Sequence, residues 1–431
     1  MSACASTLRT CAISASCWTS RSCCGRSAAC SRLAGRTDGA RMIWLIFWLS
    51  LAALLYVYAG YSVLLVLVGL LRRRRVHQRP GTPRTSLIIA AHNEAGAIAR
   101  RLDNALSLDY PADALEILVA SDGSTDATNA IASRYAARGV RLLALPRRGK
   151  LGVLDEAVAQ SSGDILVFSD ANTTFHAQAL RMLARNFADP EVGGVCGNQI
   201  YVREAGSDSS AHGETLYWSY DKWLKRLESL TGSIVSSDGA IYAIRRRLYR
   251  KPTRAYVTDD FAISTAVVEQ GFRLVFEPDA LAYEPPASAA DREFRRKVRI
   301  INRGLCGVLL RRRLLNPFRY GVYSWILFSH KVVRRLAPFF LLAALATSLV
   351  LAQEGGFYAV AAAVQVGLYA LAILGYLVKD QPVGRWRILY TPFFYCLANA
   401  AALVAVTRLL LGNRIEQWQP ERPAPSLGVE G

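Results

Sequence analysis

Apolar and polar positions divide the chain into two kinds of texture. Residues 42–71 (MIWLIFWLSLAALLYVYAGYSVLLVLVGLL) contain no charged side chain, and about 18 apolar residues are enough to cross a bilayer as a helix. Three further runs of this kind lie at 336–352, 357–378 and 388–407. Between the first run and the others, from Arg84 on, short apolar stretches alternate with helix-like periodicity. SLIIAA (86–91), EILVAS (116–121), VRLLAL (140–145) and DILVFS (164–169) are short, apolar and bounded by turn residues, the signature of buried strands. The stretches 98–108, 126–137 and 150–160 between them repeat at helical spacing. Strands alternating with helices predict an α/β domain around a parallel sheet with right-handed crossovers. Ligands of such sheets bind beyond the carboxyl ends of the strands.

Composition fits an integral membrane protein. Of 431 residues 52% are hydrophobic and 20% charged, which excludes a disordered chain. The formal charge of +19 is concentrated at the span ends. Arg72, Arg73, Arg74, Arg75 and Arg79 follow the first run, Lys331, Arg334 and Arg335 precede the second, and Lys379, Arg385 and Arg387 lie between the third and fourth. By the positive-inside rule the intervening domain is expected in the cytoplasm. Four spans, the simplest count, put the tail at 412–431 outside. Residues 319–335 read as an interfacial segment. The arginines face anionic headgroups, and no nucleic-acid motif accompanies them. Arginine far exceeds lysine and alanine is abundant, a composition pointing to a GC-rich bacterium and its inner membrane.

Residues 1–41 differ from the remainder of the chain. They hold six of the nine cysteines, six arginines and one acid, Asp38, with no signal-peptide pattern and no CxxC pair. They are expected to be an upstream extension, with a disordered tail or a targeting segment as the alternatives. His92, His176, His212 and His330 form no metal-ligand spacing.

The strand tips carry the candidate chemistry. After the first strand stand His92-Asn93-Glu94, after the second Asp122-Gly123-Ser124-Thr125-Asp126, and after the fourth Asp170-Ala171-Asn172; neither GxGxxG nor a P-loop is present. Acids at an edge where a P-loop would offer amides suggest phosphate held through Mg2+ or Mn2+, which prefer oxygen ligands. For Asp122 and Asp126, turn and helix-cap chemistry is an equal alternative.

This set resembles the family 2 glycosyltransferases of the membrane-bound polysaccharide-synthase kind: cellulose, chitin, hyaluronan and poly-N-acetylglucosamine synthases. The likeness runs over about 84–305 and the membrane layout. It implies a nucleotide-sugar-binding α/β domain of the GT-A type at 84–318, with one span before it and about three after it at 336–411. By this resemblance AAHNE, with Ala91, Asn93 and Glu94, and Asp122 would hold uridine. Asp170 and Asn172 would take the D-x-D place that carries metal and diphosphate, with a neutral Asn where the family has its second Asp. Lys150 would stand near the nucleotide; a solvated helix start is its alternative.

VTDDFAISTAVVEQGFRLVFEP (257–278) resembles the family's T-E-D segment, with Asp259 in the Glu place and Asp260 as the base. An acceptor hydroxyl must lose its proton as it attacks the anomeric carbon, and a nearby carboxylate can take it; the same acids would also cap a helix at 261–270. Arg292, Arg295, Arg296, Arg299 and Arg303 form one helical stripe. It falls on the family's Q-x-x-R-W motif with Arg296 in the Gln place, Arg299 as the Arg that meets diphosphate, and Ile300 in the Trp place. Loss of that Trp removes the ring on which processive synthases stack the acceptor sugar. A lipid-facing stripe is the alternative for these arginines. SSDGAIYAIRRRLY (236–249) resembles the acceptor-side loop, making Asp238 and Gly239 candidates for the acceptor pocket, against an ordinary turn into a strand at 240–244. Tyr217, Trp218, Tyr220 and Trp223 suit a sugar platform and a packed helix face equally.

The expected activity is inverting transfer of a sugar from a nucleotide donor, UDP-linked, to a growing polysaccharide or glycolipid acceptor at the membrane. A polyprenyl-phosphate glycosyltransferase is the nearest alternative. A non-catalytic binding or export subunit, with an export partner, belongs to a different class; it is disfavoured by the spans, which lack charge, and by the intact Asp122, Asp170 and Asp260.

Overall fold

The computed structural model describes residues 22–201, 210–252, 254, 256–284 and 290–415, and the side chains within them except at 22–37, 210–218, 290–292 and 385. Residues 1–21 of the N-terminal segment, 416–431 of the tail, and the side chains of His212, Tyr217, Trp218 and Arg292 lie outside that description.

Eight strands form one sheet. They are β1 (Thr85–Ala91), β2 (Leu115–Asp122), β3 (Val140–Leu145), β4 (Ile165–Asp170), β5 (Thr174–Phe175), β6 (Val192–Tyr201), β7 (Tyr242–Arg245) and β8 (Arg273–Glu284). Their order is β3-β2-β1-β4-β7-β6-β8-β5. The helices between them are α1 (Ile98–Leu106), α2 (Thr128–Ser133), α3 (Lys150–Gln160), α4 (Ala179–Arg185), α5 (Ser210–Thr231), α6 (Asp259–Glu269) and α7 (Ala290–Leu310).

The first four strands pair in parallel, as their spacing predicts. Every residue of β1 is buried, because helices cover both faces of a parallel sheet. Leu87 and Ile89 join Ile98, Leu102 and Leu180 on one face. Ile88 and Ala90 meet Val153, Leu154, Ile263 and Val267 on the other. Neighbouring residues alternate between two cores, as the pleat requires.

The sheet is not parallel throughout. β7 runs antiparallel to both β4 and β6, and β5 antiparallel to β8. The cause lies in the chain path: an extended segment after α5 brings the backbone to β7 from the carboxyl end of the sheet, so β7 enters reversed. Four residues (YAIR), three of them buried, carry no periodicity from which direction can be read.

Among the described residues, four helices are long and apolar enough to cross a membrane: Asp38–Leu71, Val322–Leu351, Gly356–Leu377 and Arg387–Leu410. The second takes in most of the segment expected to be interfacial. At 30 residues it is about 45 Å long, well over a bilayer core, so its first turns pack on the α/β domain. There the Tyr323 hydroxyl donates to the Val235 carbonyl at 2.9 Å. Helix α7 lies along the fourth span through Val298, Ile301 and Leu305 against Ala401, Ala402 and Ala405.

Candidate active site

The carboxyl ends of β1, β2 and β4 form one edge. Loops after β1 and β2 are laced together there. Asn93, at φ 53, uses its Oδ1 to accept from the Thr125 amide at 2.7 Å, and its own amide donates to Ser124 Oγ at 3.0 Å. The Glu94 amide donates to Thr128 Oγ1. Asp126 accepts from the amide and hydroxyl of Thr128, the helix-start role open to it from sequence. Ala91 is the buried last residue of β1.

Asp122 is fully buried. Its Oδ1 accepts from the Arg148 and Gly149 amides at 2.6 and 3.0 Å, and Arg147 lies 2.9 Å from Oδ2. This carboxylate shapes the 147–149 loop. That loop ends on Gly149 at φ 77, a conformation suited to glycine, and Lys150 then opens α3.

Lys150 is the hub of the site. Its Nζ stands 2.7 Å from Asp170 Oδ1 and 2.9 Å from Asp259 Oδ2. Burial works against its charge, but the two carboxylates outweigh burial and hold the ammonium well above its ordinary range. The pairing joins the tip of β4 to the first turn of α6, two pieces of chain far apart in sequence.

Asp260 lies beside this bridge. Its Oδ1 is sealed from solvent and meets no hydrogen-bond partner. Burial, then the Asp259 charge, push its carboxyl up, while the Thr258 hydroxyl, the Phe261 amide and Lys150 pull it down. A carboxylate whose proton affinity is raised and whose oxygen is uncommitted has the properties of a base. The segment is braced from α7, where Arg303 donates to the Val257 carbonyl at 2.8 Å. Burial lowers the proton affinity of Arg303, and the nearby Arg299 charge adds to that. Arg296 is committed to Glu293 at 2.8 Å, and Ile300, in the Trp place, is exposed.

The acceptor-side loop comes to the same point. A Cβ on Gly239 would lie 3.8 Å from Asp170 Oδ2, and the Ser237 hydroxyl donates to the Asp260 carbonyl at 3.2 Å. Asp238 pairs with Lys225 at 2.5 Å. The structure thus brings Lys150, Asp170, Asp259, Asp260 and Gly239 together, with Asp238 adjoining, while Asn93 and Asp122 lace the loops along the same edge. Asn172 is exposed in the turn after β4.

One participant escaped the sequence reading. Glu284, the last residue of β8, accepts from Thr173 Oγ1 at 2.7 Å and Gln199 Nε2 at 2.5 Å. Burial and then the Asp170 charge push its carboxyl up to about 7. An acid directly before Pro285-Pro286 was the available signal.

Among the described residues, no three of His, Cys, Asp and Glu stand grouped as a metal cage. The donor set still fits a hard divalent ion shared with phosphate, since Mg2+ and Mn2+ are usually held by one or two protein oxygens plus phosphate and water. Asp170 offers a carboxylate and Asn172 an amide, and the pressure of Asp170 on Glu284 marks a local excess of negative charge. A cavity of about 810 Å3 opens at the opposite edge, by Asp164 and Arg245–Arg247. Its Arg245 and Arg246 are spent on backbone carbonyls.

Comparison with known proteins agrees with the geometry. Residues 86–251 match the family model Glycosyl transferase family 2. A beta-monoglucosyldiacylglycerol synthase of Synechocystis sp. is 31% identical over 35% of this chain and 33% of its own length. A poly-beta-1,6-N-acetyl-D-glucosamine synthase of Staphylococcus aureus is 26% identical over 46% of this chain and 49% of its own. The chain therefore spans between a third and a half of these two relatives. Among solved structures, a mannosyltransferase from Pyrobaculum calidifontis in complex with GDP-Man and Mn2+ superposes with a TM-score of 0.60 at 21% identity, over 86% of this chain and all of that one. The fold is that of GT-A-like glycosyltransferases.

Proposed function

We propose that the chain, whose residues 86–251 match the family 2 glycosyltransferase model, transfers a sugar from a nucleoside-diphosphate donor to a carbohydrate or lipid-linked acceptor at a membrane, with inversion at the anomeric carbon. The observation that carries this reading is the uncommitted Asp260 Oδ1 beside the Lys150 bridge to Asp170. Asp260 takes the proton of the acceptor hydroxyl as its oxygen attacks the anomeric carbon from the face opposite the leaving diphosphate. One displacement with one base inverts the centre. Lys150 and Arg299 provide cationic charge for the diphosphate. Mg2+ or Mn2+, held by Asp170 and Asn172, would supply further neutralisation of the departing phosphate charge.

The donor is read as UDP-linked, and the domain as cytoplasmic because Arg72–Arg75 and Arg79 leave the first span on its side. The mannosyltransferase of similar fold was solved with GDP-Man, so donors with either base belong in the test. Two acceptor classes, a growing polysaccharide and a glycolipid, match the products named for the relatives.

The test is nucleotide release from a panel of UDP- and GDP-sugars by membranes holding the full chain, with Mg2+ or Mn2+, compared with Asp260→Asn. Turnover of one donor that the substitution abolishes, with donor binding kept, supports the reading. Turnover that survives the substitution removes Asp260 as base. A chain that neither binds nor consumes any donor overturns the reading.

A further inference from the structure

Glu228 of α5 lies outside the site just described, yet three separate parts of the molecule converge on it. It is fully buried. Its Oε1 accepts from the Tyr61 hydroxyl of the first span at 2.7 Å and meets His330 Nδ1 of the second span at 2.8 Å. Its Oε2 accepts from the Val235 amide at 3.1 Å. Val235 belongs to the segment 233–239, which ends at Asp238 and Gly239.

The partners of His330 indicate its role. A carboxylate only accepts, so Nδ1 carries the hydrogen given to Glu228, while Nε2 faces both Arg334 at 3.2 Å and the Asp221 carboxylate at 3.6 Å. Alongside, Lys225 spans Asp221 at 3.1 Å and Asp238 at 2.5 Å, with Asp221 3.9 Å from Arg334. Lys225, Asp221 and His330 are all nearly fully buried. Leaving a buried carboxylate oxygen without its partners is costly, so a shift of either span away from Glu228 is opposed. The same carboxylate holds the Val235 amide, and Tyr323 of the second span holds the Val235 carbonyl. From there the segment reaches the Asp260 carbonyl through the Ser237 hydroxyl, and a Cβ on Gly239 would stand 3.8 Å from the Asp170 carboxylate.

We propose that Glu228 is a positioning residue that, with Lys225, fixes the acceptor-side segment 233–239 to the first and second membrane spans, so that the acceptor is presented at a set distance from the bilayer. The assignment rests on the reading of Asp238 and Gly239 as acceptor-side. It separates two functions within the domain: the donor edge is built by β1, β2 and β4, and the acceptor edge is referenced to the membrane.

The test uses the full chain in lipid nanodiscs, as wild type, Glu228→Gln and Tyr61→Phe. Tyr61→Phe deletes one hydroxyl and keeps the ring, so it remains informative where Glu228→Gln fails to fold. Amide hydrogen exchange is followed across 233–239. In parallel, donor consumption from the UDP- and GDP-sugar panel is divided into transfer to membrane acceptor and hydrolysis to free sugar. The expected result for Tyr61→Phe is exchange at least about tenfold faster in 233–239, a shift of about fivefold from transfer toward hydrolysis, and a donor KM within about twofold of wild type. Unchanged exchange at 233–239 overturns the inference. So does a donor KM that rises in step with the loss of transfer, the mark of a generally loosened fold. Faster exchange in a chain whose wild type consumes no donor leaves the joint standing and overturns the assigned reaction instead.

Discussion

Lys150 and Asp259 form an ion pair of 2.9 Å between the first residue of α3 and the first turn of α6. Because the same ammonium also meets Asp170 at 2.7 Å, one side chain sets the distance between the strand tip and the helix that carries the candidate base. Lys150→Met would leave two carboxylates facing each other without a cation. Removing one partner of a buried pair costs about 3–5 kcal/mol, and the partial exposure of Asp170 moves the expectation to the lower end. Thermal unfolding of the purified chain in detergent should show that loss. Donor affinity should fall with it, and a variant as stable as wild type would remove Lys150 as the hub.

The pH profile should report the groups around Asp260. Its carboxyl is raised by burial and by Asp259 and lowered by Lys150. A base must be ionised to act, so kcat/KM should fall on the acid side as Asp260 takes up a proton, above the ordinary aspartate range. Asp259→Asn removes a raising charge and frees Lys150, so that acid limb should move to lower pH. Lys150→Met removes a lowering charge and should move it to higher pH. Opposite displacements of the limb in the two variants are the required outcome; parallel ones would separate the limb from Asp260.

The first half of the domain was legible because its elements are local. Four strands with intervening helices are written in apolar runs and turn residues, and β3 spans the same residues, 140–145, that the pattern marks; as the edge strand of the sheet, however, it buries only Val140 fully, so the expectation of a buried strand is corrected there. The tips of β1, β2 and β4 could be placed on one edge for the same reason. What periodicity could not carry is long-range pairing. The reversal of β7 depends on the path of the chain, and the bridge from Lys150 to Asp259 depends on where α6 docks. Glu228 was hidden for a further reason: it stands in a helical run, YDKWLKRLES, that carries no motif, and only the arrival of Tyr61 and His330 from the spans gives its charge partners.

Glu284 predicts a pH-dependent stability with a definite sign. Its folded carboxyl titrates at about 7 against an ordinary value of 4.5, so the folded chain binds more protons than the unfolded chain between those limits. Stability from this group is therefore fully present below about 4.5 and is lost as pH rises through about 7. Glu284→Gln removes the titration. The melting temperature of the variant relative to wild type should climb from pH 5 to pH 8 and level off beyond. A difference that stays flat with pH would show that burial and Asp170 do not raise the Glu284 carboxyl.

Gly123 connects backbone geometry to the same hub. It sits at φ 59, and a Cβ there would lie 2.8 Å from the Arg147 backbone nitrogen. Gly123→Ala therefore adds a left-handed alanine, a strain of about 1–2 kcal/mol, to a collision with backbone that cannot swing aside. The 147–149 loop must move, and with it the amides held by Asp122 and the start of α3 at Lys150. Gly139 supplies the control, since it too has positive φ, at 88°, but nothing lies within 4 Å of its Cβ. Gly139→Ala should cost only the conformational strain and leave donor affinity intact, whereas Gly123→Ala should cost more in unfolding and weaken donor binding. Equal losses in the two variants would mean that the 147–149 loop does not position Lys150.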